Sequence, residues 1–136
     1  MGWIFLYAGL SKVLNPVWSA SGFLLSAKTF PALYAMFANA SIISTINFIN
    51  EWSLVLLGVS LIIGAFVRLS SIGGIALMLL YYFPQLDFPY VGAYFLVDAH
   101  IIFILVLSLL NVSKSGEFLG LDMRLIRVPS LKRFIR

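Results

Sequence analysis

Four side chains in this sequence set ionisable chemistry into apolar surroundings: Lys12 in "AGLSKVL", Glu51 in "INEWSLVLL", and Asp98 and His100 in "LVDAHIIFILVLSLL". His100 is the only histidine, and histidine is the residue type whose charge ordinarily changes near neutral pH. An imidazole and a carboxyl can exchange protons with a quinol, so a proton relay or a quinone hydrogen-bond site is the chemistry these residues suggest. Haem held between two imidazoles needs a second histidine. The chain also has no cysteine, so no haem, iron–sulfur cluster or other metal is expected from this chain alone. No Walker loop, dinucleotide fingerprint, HExxH or nucleophile elbow occurs, which leaves no soluble catalytic site in view.

Plainer readings stand beside this one. Lys12 and Glu51 can form a buried pair that fixes helix register. Asp98 can serve as a helix-start carboxylate, and His100 as a hydrogen-bonded histidine inside a bundle. On one helix, two positions apart is roughly 200° of rotation, so Asp98 and His100 read as contacts in two directions and not as a dyad.

The elements that position them are those of a membrane protein. Of 136 residues, 62% are hydrophobic and 10% are charged, against about a quarter charged in soluble domains; the mean hydropathy is +1.05. The length suits one domain. We expect an all-α, integral membrane four-helix bundle. Spans fall at about 2–14, 48–67, 69–83 and 91–110, making 1–110 the transmembrane domain. A span takes about 20 residues, so the first is short: a true first span that is either thin or lacks residues upstream, with neither the basic start nor the cleavage site of a signal peptide. Residues 17–47 mix aromatic and aliphatic side chains with Ser, Thr, Asn and Pro31, as interfacial helices do. A fifth span around residues 29–49 is the alternative, disfavoured by the cost of Asn39 and Asn47 in lipid.

Charge orients the bundle. From Asn111 onward six bases stand against two acids, and the rest of the chain is balanced. Arg68 and this tail on the cytoplasmic side put both termini inside a cell membrane crossed by several passes. The tail, 111–136, reads as basic and amphipathic, lying on anionic lipid or a partner and not on nucleic acid. Lys12, Glu51, Asp98 and His100 then gather towards the outer face, where Lys12 can neutralise Glu51 or Asp98. Glu51 falls about 5 Å into its span, Asp98 about 10 Å and His100 about 13 Å. Small residues around Gly58, Gly64, Gly73 and Gly74 suggest close helix packing.

The order of "FLYAGLSKVLNP", "WSASGFL", "EWSLVLLGVSLIIGAFVRLSSIGG", "LVDAHIIFILVLSLL" and "GEFLGLD" resembles the DoxX-like membrane family over most of the chain. Within it, the closest likeness is to the DoxD group, the small subunits of thiosulfate:quinone oxidoreductase. The matched positions are Gly9, Lys12, Glu51, Gly58, Arg68, Asp98, His100, Gly120 and Asp122. The resemblance implies a four-helix subunit of a quinone-linked sulfur-compound oxidoreductase or respiratory chain, working beside partner subunits. Glu51, Asp98 and His100 are then the candidate catalytic groups, and Lys12 and His100 the candidate quinone contacts. The competing expectation is a non-catalytic accessory subunit of a larger respiratory complex. A small transporter fits less well, because no inverted repeat is visible.

Overall fold

The computed structural model describes residues 1–113, 115–116 and 120–125. The chain runs through α1 (Gly2–Val13), the short helices α2 (Ser21–Leu25) and α3 (Pro31–Phe37), and the long helices α4 (Ile43–Ile63) and α5 (Val67–Gln85). Three two-residue strands follow, β1 (Leu86–Asp87), β2 (Tyr90–Val91) and β3 (Tyr94–Phe95), and then α6 (Ala99–Val112) and α7 (Asp122–Leu125). The strands form one antiparallel sheet in the order β1-β2-β3.

Glycine decides how α1 meets α4. A Cβ on Gly9 would lie 2.7 Å from the Val55 nitrogen, and one on Gly58 2.6 Å from the Leu6 Cα. The backbones are therefore nearly in contact, as small-residue packing allows. Gly73, by contrast, would meet only Leu57 Cδ2, at 3.5 Å. Gly58→Ala should lower the thermal midpoint in mild detergent by on the order of 10 °C, the cost of overpacking a site that cannot yield. Gly73→Ala should leave it unchanged or raise it, because alanine favours the helix. Equal midpoints would mean that α1 does not depend on that close approach.

The core takes one buried side chain from each of four helices: Phe5, Leu54, Met78 and Leu107. α1 packs extensively on α4 and α5 on α6, whereas α4 and α5 touch each other much less. The α2–α3 segment fills the gap between them, with Leu24, Ala27 and Tyr34 as a second small core. Burial pushes the Tyr34 hydroxyl pKa up, so the hydroxyl keeps its proton and donates to the Leu80 carbonyl at 3.3 Å. Two further bonds fasten this segment to the end of α5 and to β1: Lys28 N to the Pro84 carbonyl at 2.9 Å and Thr29 Oγ1 to the Leu86 carbonyl at 2.6 Å.

α4 ends at Gly64 (φ +66°), a left-handed cap that glycine adopts without strain. Phe66 follows at φ +54°, a conformation costly for a side chain of its size. Asp122 compensates. Its carboxylate, 2% exposed, accepts the N–H groups of Phe66 at 2.6 Å and Val67 at 3.0 Å and so caps the start of α5. Asp122 N in turn donates to the Gly64 carbonyl at 3.0 Å. The N-terminus, the α4–α5 turn and α7 thus share one end of the molecule; α2, α3, the sheet and the start of α6 share the other.

The chain is mostly helical, and among the described residues α4 and α5 are long and apolar enough to cross a membrane. Only 11% of the most apolar stretch of α4, and 39% of that of α5, is buried inside the protein. Their apolar side chains therefore face outwards, unlike those of a core helix in a soluble fold. The expected spans shift. The second begins at Ile43, five residues early, and stops at Ile63 instead of running to Val67. The third is longer than expected and keeps Pro84 within its last turn. The fourth is shortened to 14 residues, because residues 86–95 pair as strands. The first comes out as 12 residues. The expected amphipathic tail lies largely outside the described residues.

Candidate functional site

Asp98 starts the site. Its backbone is extended (φ −115°, ψ −173°), so it stands just outside α6 as the N-cap residue. The carboxylate folds back over the first turn and accepts His100 N at 3.0 Å and Ile101 N at 3.3 Å. Its other oxygen is bonded to His100 Nδ1. This corrects the expectation that Asp98 and His100 diverge: the helical rotation rule needs both residues inside the helix, and a cap residue curls back over its neighbours. Neither residue lies deep in a span, since both belong to the first turn of a helix that starts late. The helix-start reading of Asp98 holds as well, because one carboxylate does both jobs.

Asp98 is buried at 7% exposure, and His100 is partly open. His100 lines a pocket of about 250 Å³ with Lys12, Trp18, Asn50, Tyr81 and Gln85 among its walls. With Nδ1 engaged by Asp98, the ring's other nitrogen is left for a ligand. The Tyr81 ring meets the imidazole edge-on, centroids 6.0 Å apart, and its hydroxyl is bonded to Asn50 Oδ1. Lys12 Nζ donates to the Ala8 carbonyl at 3.1 Å and sits 5.4 Å from the Trp18 ring centroid. An ammonium so placed interacts with the ring face and still has N–H groups to offer.

Glu51 lies on the far side of Lys12. It lines a neighbouring cleft of about 270 Å³ that Lys12 and Trp18 also border. No ion pair joins Lys12 to Glu51 or to Asp98; among the described residues Lys28 pairs with Asp87, and the Asp98 carboxylate is bonded to His100. The expected neutralisation of Lys12 by a carboxylate in contact is therefore replaced by proximity across a cleft. The four residues do gather at one end of the bundle: α1 runs antiparallel along α4, which brings Lys12 level with Glu51, and α6 begins beside them. Asn50, Tyr81, Gln85 and Trp18 were not singled out from the sequence. The only signal they gave was polar or aromatic character at the ends of apolar runs, which interfacial residues share.

Among the described residues no group of three or more His, Cys, Asp or Glu is placed to hold a metal ion. Comparison with protein-family models, curated proteins and solved structures finds no match to this chain. The likeness to DoxX-like proteins thus rests on the quoted sequence segments alone.

Proposed function

We propose that this chain is a membrane subunit of a quinone-linked oxidoreductase, with the His100 pocket as the place where a quinone head group exchanges protons. The observation that carries the reading is the buried Asp98 carboxylate on His100 Nδ1, beside a pocket bordered by Lys12 and Gln85. A quinone that accepts two electrons must also accept two protons. Protonated His100, held by Asp98, donates its Nε2 proton to one ring oxygen and, once reprotonated from water at the open side of the pocket, delivers the second proton in the same way. Lys12 and Gln85 supply hydrogen bonds to the carbonyl oxygens. The electrons come from oxidation of a sulfur compound, thiosulfate by the sequence resemblance, on a partner subunit.

In this reading α1, α4, α5 and α6 are the four spans of a multi-pass cell-membrane protein, with α2 and α3 in the outer interface. The end holding Met1, Arg68 and α7 faces the cytoplasm, consistent with the positive-inside rule, and the basic residues of the tail lie on lipid there. The outward apolar side chains of α4 and α5 support the membrane setting. The short α1 and α6 are accommodated by local thinning or by polar residues that reach the interface.

A second reading, a non-catalytic accessory subunit, draws on one observation: capping α6 is by itself sufficient reason for Asp98 to be there. Thiosulfate-dependent quinone reduction in membranes carrying His100 variants separates the two readings. The quinone reading requires turnover to fall while the assembled complex stays intact on native gels; normal turnover in an intact complex leaves the accessory role.

A further inference from the structure

A second cavity adjoins the His100 pocket and differs from it in kind. It measures about 300 Å³ and lies where α4 and α5 diverge beneath α2 and α3. Its walls are carbon almost throughout, with Leu24, Phe37, Ile46 and Leu77 among them. The hydroxyls nearest to it are already committed, Tyr34 to the Leu80 carbonyl and Tyr81 to Asn50. Water would find few partners there, so such a space suits hydrocarbon.

Ala20, Phe23, Asn50 and Tyr81 stand between the two cavities as a common wall. In it the Phe23 ring packs edge-on against Tyr81, centroids 5.9 Å apart, and the Tyr81 hydroxyl is bonded to Asn50; a turn of these side chains joins the two spaces. One has the Lys12 ammonium and the His100 imidazole in its wall; the other offers almost no polar surface. Each by itself is at or below the lower bound of about 300–1,000 Å³ for sites that enclose a small organic molecule, and joined they fall inside it. At the outer margin of the dry cavity stand Ile49 and Leu80, 55% and 53% exposed. They belong to the outward apolar surface, so the cavity opens sideways through it.

We infer that the two cavities form one site for a single amphiphile, an oxygen-bearing ring with a hydrocarbon tail, whose tail lies between α4 and α5 under the α2–α3 roof and which arrives laterally from the lipid. The inference rests on the quinone reading for the head group and adds the tail site and the route. The pocket with Lys12 and His100 explains the head, and the dry cavity beyond Phe23 and Tyr81 explains the tail. The opening past Ile49 and Leu80 lets a lipid-soluble molecule reach His100 without crossing water once that wall parts.

The test uses the full chain in lipid nanodiscs with Trp3→Phe and Trp52→Phe, which leaves Trp18 in the pocket wall as the sole indole. Quenching of its emission reports binding of a dimethoxy-methyl-benzoquinone, with and without a decyl tail. Ile49→Phe and Leu80→Phe narrow the mouth at exposed positions, where folding is not at stake. Both should weaken the decyl compound about tenfold relative to the tail-less one, the size of losing part of a hydrophobic contact. An unchanged ratio overturns the tail site. If in that case the tail-less quinone still binds and His100→Ala abolishes its binding, the head-group reading survives alone. If the tail-less quinone does not bind the parent protein, the quinone reading itself falls.

Discussion

Replacing His100 with glutamine should cut quinone reduction by about 10²-fold or more, the usual contribution of a positioned proton donor, with the complex still assembled. Glutamine keeps a hydrogen-bonding side chain of similar reach but cannot carry the exchangeable proton. The cap complicates a simple deletion of Asp98, because the carboxylate also holds the first N–H groups of α6. Asp98→Asn resolves this. Asparagine caps helices about as well as aspartate, so stability should change by less than about 1 kcal/mol, while the charge facing His100 Nδ1 is gone. A large fall in rate with little change in melting assigns the pair to proton handling. A fall in melting with normal turnover per folded molecule assigns it to architecture.

The largest loss of stability should come from the opposite end of the molecule. Asp122→Ala removes the acceptor for two N–H groups at the start of α5, one of them on Phe66 in its left-handed conformation. Leaving a buried donor unpaired costs about 1–3 kcal/mol, and the negative charge favourable at a helix N-terminus goes with it. We expect a loss of about 2–5 kcal/mol in all, read as a thermal midpoint in detergent lower by on the order of 10 °C or more. Asp122→Asn keeps an acceptor oxygen and should lose less than half as much. Alanine and parent protein melting together would mean that the α4–α5 turn does not need its brace.

Helix content and the meeting of four helices were legible because long apolar runs and small residues have few other uses at this composition. The ends of those runs were harder. Ser44, Thr45 and Asn47 read as part of an interfacial stretch, being costly in lipid, yet Asn47 is already paired: its Oδ1 accepts Ala20 N at 2.9 Å. Val91, Tyr94 and Phe95 read as the start of a helix, because an apolar stretch does not reveal its own dihedral angles. The clues to the contrary were local, namely Gly92 at φ +58° and Asp98 at the position a cap requires. The gathering of Lys12, Glu51, Asp98 and His100 at one end followed from topology and charge. The join between Asp98 and His100 did not, since it depends on where one helix begins by a single residue.

The α2–α3 segment is translated before α4 and α5 and yet is held by both. Ala20 is fastened to α4 through Asn47, while Lys28, Thr29 and Tyr34 are fastened to the second half of α5 and the residue after it. A piece of chain that emerges early therefore cannot take its seat until both later helices are in place. The newborn protein consequently passes through a stage in which the groove between α4 and α5 is formed but still uncovered.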